Sequence, residues 1–511
     1  MKSKTAVVIG AGMGGIAAAA RLARSGYRVS VYEMNNKPGG RVDQIEKDGF
    51  RFDTGPTLFL MPPVFAETFA ALGERMEDHL DLVRIDPTYR VHFHDGSRLD
   101  ITSDLIQMRE QLDALEPGAF ERYLKFLAEG YRHYNLSLQK FVGRNFYNLS
   151  EFLSVENLPM MWQLKPLQKH ASNTAKFFKD QRLRAAFSFQ NMYLGLSPYD
   201  APATYNLLQY TEIAEGVWFP KGGFYEVAKS LEAVARGLGV NFYYNSPVAQ
   251  INVENNRTTG ITLKTGERVD ADVVIANADL PYVYSELLPD DGTTRKLAGK
   301  KYTSSTLMFY WGLKGNRATE LLHHNVFLSD HAYESSFKTI FKALGLPEEP
   351  SFYINAPART DPNFAPADGD SLMVLVPVGH LDERQPQDWP ALEAHARSFV
   401  LRRLGELGLN DVASQITFEA KWGPAYYQKH YHLAKGAAFG LSHNFTQVGY
   451  LRPHNRHSRY RNLYFVGAST HPGTGVPIVL LSAKLVTERI LNEMPPEAHS
   501  EFSWSPAMGG A

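Results

Sequence analysis

Thr5-Ala-Val-Val-Ile-Gly-Ala-Gly-Met-Gly-Gly-Ile-Ala-Ala-Ala-Ala-Arg-Leu22 decides how the rest of the chain is read. Ala6 to Ile9 are a short apolar run of the kind a buried parallel strand uses. Gly10-x-Gly12-x-x-Gly15 follows, and the Ala-rich stretch 16–24 predicts a helix. Gly10 permits the tight turn and Gly12 lets backbone N–H groups approach a pyrophosphate. Gly15 lets helix and strand pack closely, and the helix N-terminus turns its positive dipole end toward the phosphates. A second strand, 27–32, ends in Glu33, placed to accept a hydrogen bond from a ribose 2′-hydroxyl. An acid there favours an unphosphorylated ribose, hence NAD or FAD over NADP. Strand, glycines, helix, second strand and acid follow one another in order, which a merely Gly-rich turn does not produce. The glycine spacing, the charged strand edge and the lack of a small-x-small cleavage site leading into a mature start argue against a signal peptide here.

The 511 residues predict two to four domains, or one large core with interleaved segments. Fifty-three basic against 54 acidic side chains give a net charge of −1, so no nucleic-acid partner is expected. The absence of cysteine excludes disulfides, thiolate metal sites, thiol catalysis and cysteinyl flavin attachment, and fits a cytoplasmic protein. No metal site is expected. No segment beyond the N-terminal one approaches eighteen consecutive apolar residues, so membrane contact is expected to be peripheral only.

Nucleotide-binding signals recur in three blocks, 1–104, 216–298 and 441–511. Between them lie a mostly helical stretch, 105–215, and a stretch of alternating strands and helices, 299–440. Helical periodicity marks 113–134, 224–238, 390–407 and 478–494. Strands are expected at 240–244, 272–279, 305–311, 371–378 and 462–467, with a hairpin of 248–253 and 260–264 turning at Asn255-Asn256. This order predicts one discontinuous nucleotide domain with substrate-domain segments inserted into it.

Two further motifs carry ligand chemistry. Lys37-Pro-Gly39-Gly40-Arg41 follows the acidic strand end, and Asp53-Thr-Gly55-Pro56 comes soon after. Gly39 and Gly40 allow close backbone approach, and Arg41 can pair a pyrophosphate. Near the C-terminus, Gly467-Ala-Ser-Thr-His471-Pro-Gly473-Thr-Gly475-Val476-Pro477 joins a strand to a helix through a Gly/Pro-rich loop. Such a loop sets N–H dipoles against a negatively charged group, such as the electron-rich edge of a reduced isoalloxazine.

Together these blocks resemble the flavoprotein oxidoreductases and, within them, the phytoene-desaturase family of bacteria and fungi. The specific pieces are 37–41 with 53–56, Gly216-Val-Trp-Phe-Pro-Lys-Gly-Gly223, Arg452-Pro-His-Asn-Arg456 and 467–477. Leu183-Arg-Ala-Ala-Phe-Ser-Phe-Gln-Asn191 and Ser197-Pro-Tyr-Asp-Ala-Pro202 are also similar to the desaturase branch rather than to amine oxidases. The resemblance implies an α/β protein: a Rossmann-like, amine-oxidase-like FAD-binding domain, an interleaved α+β substrate domain and a helical membrane-associating segment. It implies FAD, an extended polyene substrate, oxygen or a quinone as electron acceptor, and a place on the membrane surface. Its FAD contacts would fall on Gly10, Gly12, Gly15, Glu33, Gly40, Arg41, Gly467, His471, Gly473, Gly475, Val476 and Pro477, with the backbone of Val248 meeting the adenine.

Desaturation needs alignment, water exclusion and acceptance of a proton. His454 is the candidate proton relay, with Arg452 and Arg456 as buttresses; a backbone-bonded His and solvated arginines are the alternative reading. Phe187, Phe189, Tyr193, Trp218, Phe219, Tyr310, Trp311, Tyr426 and Tyr427 are candidate tunnel-lining rings, each also readable as core. In 158–169, Met160, Met161, Trp162, Leu164 and Leu167 beside Lys165 and Lys169 have the composition of a lipid-interface segment; a buried helical elbow is the alternative. The expected activity is FAD-dependent desaturation of phytoene or a related polyene. A C30 or hydroxylated or methoxylated substrate, polyene isomerisation, and a non-catalytic flavin-bound carrier are the alternatives.

Overall fold

The structure is a computed structural model that describes residues 3–315, 318, 320–329 and 333–496. A five-stranded parallel sheet forms its nucleotide-binding half. Its order is Leu463–Phe465, Val273–Ala276, Thr5–Ile9, Arg28–Tyr32 and Asn241–Tyr243. Strands from three distant stretches therefore meet side by side, as the repeated signals predict. Every residue of Val273–Ala276 is buried, as befits a strand covered on both faces. The helices Met13–Arg24, Tyr225–Gly237 and Val476–Glu493 pack over it. The hairpin of Val248–Glu254 and Arg257–Leu263 turns at Asn255 and Asn256, whose φ values of 48° and 60° suit a two-residue reverse turn.

A seven-stranded sheet forms the other half. Its order is Ile416–Trp422, Ser305–Lys314, Gly369–Val378, Phe352–Asn355, His324–Phe327, Tyr89–His92 and Arg98–Ile101. The last two strands come from the 1–104 stretch, which the sequence assigns wholly to the nucleotide domain. Tyr89–His92 instead joins this sheet by parallel pairing with His324–Phe327. Likewise Val217–Pro220, read from the sequence as nucleotide domain, pairs antiparallel with Leu82–Ile85 in a separate ribbon. Along Ser305–Lys314, strand alternation sends Met308 and Tyr310 to the inner face and Phe309, Trp311 and Leu313 to the outer one. Trp311 lies under the Trp389–Glu406 helix and donates from its indole nitrogen to Glu419 at 2.9 Å. It cannot line an interior tunnel with Tyr310.

The 105–215 stretch is helical, but the helix expected over 113–134 is two helices, Leu105–Leu115 and Ala119–Ser137. Pro117 disrupts the first and Gly118, at φ 72°, turns the chain into the second. The Ala119–Ser137 helix crosses Leu207–Ala214 closely at Gly130, where a Cβ would lie 2.8 Å from the Asn206 carbonyl oxygen.

Candidate functional site

The glycine turn is built as a cradle. Gly10 holds φ 95° and its N–H donates to the Tyr32 carbonyl at 2.8 Å. Gly12 bridges to Gly39, whose N–H donates to the Ala11 carbonyl at 2.8 Å. A Cβ on Gly12 would lie 2.7 Å from Asn277 Nδ2, and one on Gly15 would run into the Gly10 carbonyl oxygen. The first helix begins without a capping side chain, so its first-turn N–H groups face the ligand space. Glu33 is buried and accepts from the Ala11 N–H at 2.7 Å and the Asn35 N–H at 2.9 Å. Burial raises its carboxyl above the usual range, and those two N–H groups oppose the shift.

The other two stretches close on the same space. Gly475, at φ 103°, starts the Val476–Glu493 helix, again without a side-chain cap. Val479 of that helix would stand 2.9 Å from a Cβ on Gly14 of the first helix, so the two helix N-termini are neighbours. Gly467, at φ 113°, lies against Asn277, the same side chain that fills the space beside Gly12 and Gly14. Arg41 donates to the Ala438 carbonyl at 2.9 Å and attracts the Asp279 carboxylate, which accepts from Ala434 N–H and from the Ser469 hydroxyl. Val248 lines a cleft of about 480 Å³ with Lys264, Pro281, Tyr282, His432 and Ala434. Positive dipole ends, one arginine, the buried acids Glu33 and Asp279 and backbone that tolerates no side chain suit a dinucleotide with its pyrophosphate at the helix termini.

The loop before the C-terminal helix is tightly tied. A Cβ on Gly473 would lie 2.7 Å from His443 Nε2, the nitrogen that accepts the Thr474 N–H at 3.0 Å. His471 hydrogen-bonds the Arg144 carbonyl through Nε2 at 2.9 Å, and burial pulls its imidazole down to about 4, so it is neutral. Arg452 is 1% exposed, and all five of its N–H groups donate to carbonyls, those of Leu441, Ser442, Gln447, Ala468 and Thr470. With no donor to spare for a reacting group, the arginine read from the sequence as catalytic is a clasp between two backbone segments. His454 is exposed, packs edge-on against Tyr450 at 4.8 Å and shares a cavity of about 10 Å³ with His471. Asp53 caps the Tyr225–Gly237 helix, accepting from Phe224 N–H at 2.7 Å and Tyr225 N–H at 3.3 Å, and burial pushes its carboxyl up to about 7. Asn277, Asp279 and His443 are the site residues the sequence reading misses. Only the Asn-Ala-Asp at the end of a buried strand hinted at the first two.

Two abutting helix termini over a five-stranded parallel sheet define a dinucleotide-binding protein of the flavoenzyme type. The chain belongs to the flavin containing amine oxidoreductase family, whose model matches residues 13–491. FAD is its cofactor. The chain is 49% identical over 487 residues to a zeta-carotene-forming phytoene desaturase of Myxococcus xanthus, covering 95% of this chain and 93% of that one. It is 45% identical to a phytoene desaturase of Phycomyces blakesleeanus, over 95% of this chain and 85% of the other. It is 34% identical to a 4,4'-diapophytoene desaturase (4,4'-diaponeurosporene-forming) of Staphylococcus aureus, over 95% and 98%. Among solved structures, putrescine oxidase bound to putrescine shares the fold, with a TM-score of 0.62 at 15% identity over 96% of this chain and 98% of that one. An oxidoreductase from Methanosarcina mazei does so with a TM-score of 0.63 at 17% identity, over 95% and 100%.

Proposed function

We propose that the protein is an FAD-dependent carotenoid desaturase that introduces double bonds into phytoene or a closely related linear polyene. The observation that carries this reading is the near end-to-end identity, 34–49%, with relatives named for that reaction. When bound, FAD supplies a two-electron acceptor for hydride leaving a saturated C–C bond. In this reading Gly10, Gly12, Gly15, Gly40 and Arg41 hold the pyrophosphate, Glu33 the ribose and Val248 the adenine. Gly467, His471, Gly473, Gly475, Val476 and Pro477 shape the isoalloxazine end. In this reading 1–104, 216–298 and 441–511 supply the nucleotide domain, except that 89–101 pair with the sheet of 299–440 and 82–85 pair with 217–220 in a separate ribbon. The inner face of the seven-stranded sheet carries Tyr310, whose hydroxyl donates to the Thr54 carbonyl at 3.1 Å, beside Phe52, Phe219 and Tyr427. In this reading these rings, with Phe187, Phe189 and Tyr193 of the neighbouring buried cluster, keep water from the reacting carbons.

A membrane surface delivers the substrate in this reading. No helix among the described residues is long and apolar enough to cross a membrane. Val155, Leu158, Trp162 and Leu167 are 84%, 52%, 86% and 77% exposed, and Leu149 and Leu153 stand out beside them. Met160, Met161 and Leu164, read from the sequence as lipid-facing, instead pack inward with Phe141, Phe146 and Phe152, because the helix Asn157–Leu164 turns them to its protein side. Phe146 in turn meets the ring of His471 at 6.2 Å, so the apolar surface overlies the loop assigned to the flavin. Changing Leu158, Trp162 and Leu167 together to serine is expected to cut co-sedimentation with liposomes at least tenfold while leaving flavin content unchanged. Undiminished sedimentation would remove this surface as the anchor.

The activity is tested by incubating the FAD-loaded protein with phytoene-containing liposomes and oxygen or a quinone. New visible absorption bands with loss of hydrogen by mass are expected. Phytoene that is bound but unchanged would make the protein a carrier, and isomers of unchanged mass would make it an isomerase. Either result overturns the desaturase reading.

A further inference from the structure

Asn277 stands where the two halves of the nucleotide crevice meet. The parallel sheet puts its strand, Val273–Ala276, between Thr5–Ile9 and Leu463–Phe465. Each of those two neighbours runs out into a glycine turn and then a helix that starts without a side-chain cap. Asn277 is the first residue past the middle strand. Its N–H donates to the Ile9 carbonyl at 2.8 Å, and Val466 N–H donates to the Ala276 carbonyl at 3.1 Å, so the backbone is pinned from both sides.

The side chain reaches both turns. Nδ2 donates to the Gly10 carbonyl at 3.3 Å, which sets the nitrogen end of the carboxamide on that side. A Cβ on Gly12 or Gly15 would lie 2.7 Å or 3.0 Å from that nitrogen. One on Gly14 or Gly467 would lie 2.8 Å or 3.1 Å from Oδ1. A single planar group therefore spans the gap between the two turns and fixes its width. A carboxamide nitrogen carries two hydrogens, and the Gly10 carbonyl takes one of them. Among the described residues that carbonyl is the side chain's only hydrogen-bond partner, and Asn277 is half-buried. One N–H is thus left over beside two uncapped helix N-termini.

The charges around this place are already engaged. Glu33 accepts from Ala11 N–H, between Gly10 and Gly12. Asp279, two residues on, accepts from Ala434 N–H and the Ser469 hydroxyl and is drawn to Arg41. The residue between the helix ends is the neutral one. Aspartate has the shape of asparagine, so nothing in the packing selects against it. Its carboxylate, however, would lie against two positive dipole ends, an internal anion in the place of a ligand's.

We propose that Asn277 is the specificity-determining residue that reserves this crevice for a pyrophosphate: its carboxamide spaces the two turns and offers a neutral donor, where an acid would satisfy the helix ends itself and repel the ligand. This rests on the assignment of the pyrophosphate to Gly10, Gly12, Gly15 and Arg41, and is independent of which polyene is desaturated.

The test uses the full-length, FAD-loaded protein. Flavin released on dilution is read by its fluorescence, and ADP, which carries the pyrophosphate without the isoalloxazine, is scored as a competitor. Asn277→Asp is expected to keep native circular dichroism while raising the FAD Kd ~10²-fold near about pH 8, the size of one added charge close to another. ADP affinity is expected to fall by the same factor. The ratio of variant to wild-type Kd is expected to shrink roughly tenfold toward about pH 5, as the new carboxyl takes up a proton. Asn277→Ala, which adds no charge, is expected to raise the Kd only about tenfold, equally at both pH values. An Asp variant that holds FAD like wild type, or like the Ala variant without pH dependence, overturns the proposal. So does an ADP affinity left intact while that for FAD falls. Should the Asp variant not fold, Asn277→Ser, which keeps a donor, is compared with Asn277→Ala: tighter FAD binding by the Ser variant supports the proposal, and equal binding overturns it. Gly15→Ala separates the two levels. If it keeps its flavin along with Asn277→Asp, the pyrophosphate lies elsewhere; if it alone loses flavin, only the role of Asn277 fails.

Discussion

Gly15→Ala is expected to give a protein that purifies without flavin, although it adds one methyl group to a helix that alanine favours elsewhere. The added Cβ would run into the Gly10 carbonyl oxygen and stand 3.0 Å from Asn277 Nδ2. Neither neighbour can yield. Gly10 is held at φ 95° with its N–H tied to Tyr32, and Asn277 donates to the Gly10 carbonyl while filling the space beside Gly12, Gly14 and Gly467. The helix must therefore move off the strand, and its N-terminal N–H groups move with it. Overpacking of this kind costs roughly 1–3 kcal/mol of stability. The loss of binding is expected to be larger, because helix dipole, Gly12 backbone and Val476–Glu493 terminus are displaced from one another at once. Flavin absorbance per protein below a tenth of wild type, with native circular dichroism, is the expected measurement. Gly237→Ala is the control: no atom lies within 4 Å of its added Cβ, so full flavin content and a stability gain of about 0.4–1 kcal/mol are expected. A Gly15→Ala protein with full flavin would show that the first helix does not carry the pyrophosphate.

That first motif was readable in the sequence because its constraints are local: each glycine answers to a backbone angle or a close approach within a few residues of itself. The convergence of Gly10, Gly467 and Gly475 was readable because each sits just past a strand end or at a helix start that a parallel sheet must align. The placement of other elements depends on partners far along the chain. Tyr89–His92 carries an ordinary strand pattern, and nothing in four residues says that His324–Phe327 is its neighbour. Tyr310 and Trp311 share a composition that suits tunnel rings, but as adjacent residues of one strand they face opposite ways. The helical phase of 157–164 equally separates Trp162 from Met160 and Met161, but composition drew them together. Asn277 and Asp279 act through partners more than 150 residues away, and His443 through Thr474 on a separate loop, which no spacing reveals.

Arg452→Met is expected to cost the protein its flavin and much of its stability, and to do so for a reason unrelated to proton transfer. Burial draws the guanidinium down only to about 10, so it stays charged at neutral pH and its five N–H groups keep five carbonyls paired. Those carbonyls belong to two segments, 441–447 and 468–470, and all but that of Ser442, which also accepts from Gln447 Nε2, would lose the side-chain donor that pairs them. Each buried acceptor left without a donor costs about 1–3 kcal/mol, and even with strong non-additivity the sum rivals the whole margin of about 5–15 kcal/mol that keeps a domain folded. Gly473 and Thr474, which rest on His443 beside this clasp, would lose their register against the C-terminal helix. Arg452→Lys keeps the charge but offers three donors in place of five, so an intermediate melting temperature and partial flavin content are expected. The two readings of this residue separate cleanly. A reacting group could be removed with flavin and melting temperature intact and turnover gone; a clasp cannot. Full flavin content in the Met variant would return Arg452 to the chemistry, whereas a graded loss from Arg to Lys to Met places it in the scaffold that holds the flavin loop.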